Sequence, residues 1–86
     1  MITKAKIEIY KKYKGDGDMF VRCMTKGERD IISNGDFGLI DDLLQNMEIV
    51  DKGLASQSFK DKLTNDLRET VDIDCIDLIK QLAIKK

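Results

Sequence analysis

From Phe37 onward the apolar positions fall at Phe37, Ile40, Leu43, Leu44, Met47 and Val50, spacings of three and four that draw one stripe down a helix. The spacing predicts a helix over 37–52, with Asp36 placed to cap it after an Asn34-Gly35 turn and Gly53 standing where a left-handed terminator belongs. Asp41, Asp42, Gln45 and Glu48 face away from that stripe, and Ile49 is one apolar side chain ringed by them. A second helix is predicted over 58–71, because Phe59, Leu63, Leu67 and Val71 recur every four residues and Ser58 with Asp61 reads as a capping box. Asp72 and Asp74 precede a last helix in which Cys75, Ile76, Ile79, Leu82 and Ala83 point inward, while Lys80, Lys85 and Lys86 suit its C-terminal dipole.

The first third of the chain admits two readings. Thr3 can cap a helix running to Lys14, with Ile2, Ala5, Ile9, Tyr10 and Tyr13 on its inner face; Gly15-Asp16-Gly17-Asp18 then breaks it, and Asp18 caps a short helix over 19–26. Alternatively, Lys6-Ile7-Glu8-Ile9 alternates and Met19 to Met24 is rich in large apolar residues, so a hairpin could close through the Gly-Asp turn. A two-stranded hairpin is marginal unless it packs on helices, and the Lys11 to Lys14 run suits a helix end. The expected fold is therefore all-α, one helical domain over 1–86 built as a compact bundle of four to five short helices. The alternative is an N-terminal β-hairpin packed on three helices.

Charge changes this picture more than composition does. The formal balance over 86 residues is −1, from 15 Lys and Arg against 16 Asp and Glu. Resolved by segment, residues 1–14 carry a net +4, 15–35 a net −1, 36–77 a net −7 and 78–86 a net +3. Near-neutrality is thus cancellation between basic ends and an acidic middle, a field suited to steering charged partners.

The absence of His, Trp and Pro excludes Ser-His-Asp and Cys-His catalytic units, His-ligated metals and an imidazole pH switch. Cys23 and Cys75 are far apart, each among apolar neighbours, and read as buried free thiols; two cysteines without His cannot close a zinc site. Asp16-Gly17-Asp18 opens like a calcium loop, but Val21 stands where the sixth-position glycine is needed and Gly27 where the bidentate Glu belongs. Asp72, Asp74 and Asp77, with Asp41 and Asp42, offer oxygen ligands to magnesium, yet caps and first-turn acids account for them. No phosphate-binding glycine loop is present. No cofactor is expected, and the chain does not read as an enzyme. With no apolar stretch of signal-peptide or membrane-span length, the expected location is the cytoplasm, away from any membrane.

Tyr13-x-Gly15-Asp16-x-Asp18-x-Phe20-x-Arg22, then Ile40-Asp41-x-Leu43-Leu44-Gln45 and Val50-x-x-Gly53-Leu54-Ala55-Ser56-x-x-Phe59, resemble small all-helical bacterial proteins of about this length. Those motifs are turns, caps and core, and imply a fold without naming a chemistry. In size, helicity and acidic middle the chain is also similar to immunity proteins that neutralise bacterial nuclease toxins, an analogy of fold and charge with no residue-by-residue motif. That similarity implies a non-enzymatic protein-binding module, an inhibitor of a basic enzyme or toxin, with Asp41, Asp42, Gln45 and Glu48 docking on a cationic surface and Ile49 as apolar anchor. Two alternatives are weighed against it. One is a regulatory nucleic-acid binder using Tyr10, Lys11, Lys12, Tyr13 and Lys14, disfavoured by the acidic middle. The other is a homodimeric structural protein joined through exposed Ile7 and Ile49.

Overall fold

The computed structural model describes residues 1–13 and 16–85. Among the described residues six α-helices and one 3₁₀ turn follow one another: α1 (Lys4–Tyr13), α2 (Gly17–Cys23), α3 (Lys26–Ile31), α4 (Asn34–Asp51), α5 (Gln57–Thr70), the turn at Ile73–Cys75, and α6 (Ile76–Lys85). The all-α reading holds. The hairpin alternative does not, because its two arms lie within α1 and α2. Among the described residues the one β-type contact is an isolated parallel bridge between Ile2 and Val71, in which Ile2 N–H donates to Thr70 O at 2.7 Å and Asp72 N–H to Ile2 O at 2.9 Å. The expected end of a helix at Lys14, the break at Gly15, and the basic side chains of Lys85 and Lys86 lie outside what is described.

Capping explains where the helices begin, and moves three expected starts. Ser33, not Asp36, caps α4: its hydroxyl accepts from Asp36 N–H while the Asp36 carboxylate accepts from Ser33 N–H. A reciprocal box satisfies two orphan donors where a lone Asp36 cap would satisfy one, so Asn34 and Gly35 join the helix. Ser56 rather than Ser58 caps α5, and Asp61 accepts instead from the Gln57 side chain at 3.0 Å. Asp16 rather than Asp18 caps α2. The expected helix over 19–26 is in fact two: α2 stops at Cys23, and Thr25 with Glu28 forms a second capping box that starts α3.

The C-terminus of α4 follows the sequence expectation. Gly53 adopts φ 72°, its N–H bonds Val50 O at 3.0 Å and Leu54 N–H bonds Ile49 O at 3.2 Å. These two bonds make a Schellman motif, whose positive φ glycine adopts without steric cost.

α4 is the axis of the molecule and packs against α1, α2, α5 and α6. Its stripe buries Phe37, Ile40, Leu43, Leu44 and Met47. At its N-terminal end Phe20 stacks on Phe37 with centroids 4.6 Å apart, Tyr10 tilts against Phe37 at 4.9 Å, and Tyr13 meets Phe20 edge-on at 5.6 Å. This offset and edge-on geometry is the one that ring quadrupoles favour.

Two burial expectations need correcting. Ala5 is exposed and Ile7 is 2% exposed, because α1 lies between α4 and α6 and buries a second flank, where Ile7 borders the crevice shared with Leu78 and Leu82. Cys75 is buried as expected, but Cys23 is exposed: α2 turns Phe20 into the core and leaves Val21 and Cys23 outside, with the Cys23 thiol 3.4 Å from Met19 Sδ.

Candidate functional site

The acidic face of α4 is built on a helix that packs against four others. Gly38, Asp42, Gln45 and Ile49 recur at four, three and four residues and share one line, roughly 16 Å long at 1.5 Å per residue. All four are exposed, and Glu48 is exposed beside them, bonded to Lys52 at 3.2 Å. Ile49 is 38% exposed, and the Schellman motif brings Leu54, 75% exposed, to the end of the same line. The apolar pairing of these two positions commonly accompanies that motif, so Ile49 also has a local structural role. At the other end Gly38 presents bare backbone to open space: a Cβ there would meet nothing within 4 Å.

Asp41 is not part of this surface. It is half-buried and accepts a hydrogen bond from the Tyr10 hydroxyl, which ties α1 to α4. Burial, then the hydrogen bond to Asp41 and its negative charge, push the Tyr10 phenol well above its ordinary range. The structure therefore brings Asp42, Gln45, Glu48 and Ile49 together and turns Asp41 inward. Gly38 and Leu54 are additions that sequence reasoning passed over. Leu54 was readable from its place directly after the terminating glycine; Gly38 carried no signal beyond its register on the outer face.

A second polar cluster joins α1 to α3. The Glu28 carboxylate accepts from Thr25 N–H at 2.9 Å, from the Tyr13 hydroxyl at 2.7 Å and from Lys12 Nζ at 3.0 Å. These three donors, the Thr25 amide foremost, hold its pKa down to about 2. Lys6 pairs with Asp36 at 3.0 Å, and although burial alone would raise the Asp36 carboxyl, Lys6 and the Ser33 donors prevail and lower it.

Both tyrosine rings are buried, in keeping with their expected inner-face positions, so neither offers a face on which a base could stack. Their hydroxyls are spent on Asp41 and Glu28. Among the described residues no three His, Cys, Asp or Glu side chains converge to hold a metal ion. Asp72 instead caps the 3₁₀ turn through Asp74 N–H. Among the described residues, no helix is long and apolar enough to cross a membrane. No protein-family model, no curated protein and no solved structure matches the chain.

Proposed function

We propose that this protein is a non-enzymatic protein-binding module that acts in the cytoplasm, as an inhibitor or immunity protein does, by laying the outer face of α4 on a cationic partner surface. The observation that supports this reading is the union of Asp42, Gln45, Glu48 and Ile49 on one exposed face of the helix that four others hold. A recognition surface on a rigid element loses little entropy on docking. Asp42 and Glu48 steer the encounter, and Ile49 with Leu54 supplies apolar area at one end. The mechanism is occlusion: a basic cleft covered by a carboxylate-bearing helix no longer admits its anionic substrate.

The test is capture from the native host at low salt, comparing the natural protein with the Asp42→Asn/Glu48→Gln double variant and with Ile49→Ala. The reading requires a basic partner whose retention weakens as salt rises and falls at least several-fold in each variant. A partner held equally by all three proteins, or no partner at all, overturns it. A second reading, self-association through Ile49 and Leu54, rests on their joint exposure and is decided by light scattering. Ile7, expected to join such an interface, is in the core.

A further inference from the structure

The two helices that follow α4 each pack on it, and between them runs an open groove of about 340 Å³. Met47 of α4, Leu63 and Leu67 of α5 and Ala83 of α6 give it an apolar floor. Met47 follows Gln45 by two residues, roughly 200° around the helix, so the groove lies on the opposite flank from the acidic face. Ala83 contributes a small side chain to the lining from α6. Two cations flank this floor, Lys60 from α5 and Lys80 from α6. Both are exposed, and neither forms an ion pair among the described residues. Among the described residues Asp51 is the one carboxylate bordering the groove, and it bonds neither of them, so two cations face one anion at the rim.

From this pairing of apolar floor and unneutralised rim lysines we infer that the groove binds an anionic amphiphile, a straight alkyl chain ending in one carboxylate. The alkyl chain covers Leu63, Leu67 and Met47, and the carboxylate reaches Lys60 and Lys80 from between the two helices. The volume fits such a ligand, at the small end of the roughly 300–1,000 Å³ typical of small-molecule sites. A cationic amphiphile would cover the same floor but meet like charge at the rim, so head-group sign separates this site from a merely greasy surface. The inference does not depend on the α4 face and fails or stands separately from it.

The experiment is an amide chemical-shift titration of the intact chain with dodecanoate below its micelle concentration, alongside butyrate and dodecyltrimethylammonium. Saturable shifts at 47–51, 60–67 and 80–83 are expected with dodecanoate alone. The Lys60→Glu/Lys80→Glu variant changes only exposed side chains and should keep the fold while losing about tenfold or more in affinity. Equal binding of the cationic probe, equal binding of butyrate, unchanged affinity in the double variant, shifts elsewhere, or no saturable binding would each overturn the assignment.

Discussion

Gly38 sits in the interior of α4 with open space around its α-carbon, and nothing in the packing requires it. A helical glycine costs roughly 0.5–1 kcal/mol relative to alanine, so Gly38→Ala is expected to raise stability by about that amount, read as a higher urea midpoint at unchanged slope. Tyr10 carries the opposite expectation. Tyr10→Phe keeps the ring against Phe37 but strips Asp41 of its donor, and should cost about 1 to 2 kcal/mol in the same assay. Because folding raises the Tyr10 pKa, its neutral form is what the fold favours; that contribution is complete below the ordinary phenol value of 10.0 and is lost as pH climbs beyond it. Alkaline titration should therefore show the natural protein losing stability above pH 10 more steeply than Tyr10→Phe does. The bond from Tyr10 to Asp41 was not legible in the chain: periodicity turns Tyr10 inward, but no local pattern says that its hydroxyl meets a carboxylate 31 residues away.

Among elements, α3 is the least anchored. Its six residues bury no side chain, and the carboxylate of Glu28 both caps it and ties it to Tyr13 and Lys12 of α1. Glu28→Ala is expected to speed amide exchange across 26–31 while leaving protection in α4 and α5 unchanged. Acid should do the same reversibly. The Glu28 pKa falls from 4.5 to about 2 on folding, so its contribution is complete above pH 4.5 and lost as pH drops toward 2. Amide exchange at pH 3 against pH 6 measures this, with α3 opening first. The boundary of α3 was in fact written in the sequence as Thr25-x-x-Glu28, but the run from Met19 to Lys26 is equally helical in composition and conceals a break between two short helices. α4 and α5 were readable because their stripes are long; their first residues were not, since Ser33 and Ser56 compete with nearby Asp36 and Ser58 for the same role. In the candidate site Asp42, Gln45, Glu48 and Ile49 followed from the wheel, whereas Asp41 sits on the stripe's border, where only the placement of α1 decides its direction.

For the whole molecule, the aromatic cluster joins α1, α2 and α4, and Phe20 at its centre is fully buried. Phe20→Ala removes about 3–5 kcal/mol, out of roughly 4–13 kcal/mol for a chain of this length at 0.05–0.15 per residue. Thermal melting followed by near-ultraviolet circular dichroism should show a broadened, strongly lowered transition. The parallel bridge of Ile2 to Val71 gives the molecule a mechanical property as well. A force applied between residue 1 and the end of α6 passes from Ile2 straight across to Thr70 and Asp72, bypassing the helices between them. The two segments run parallel and are pulled in opposite senses, so both hydrogen bonds are sheared together. In an optical trap the first rupture should be this clasp, and Ile2→Ala, which empties its buried seat, should lower that force.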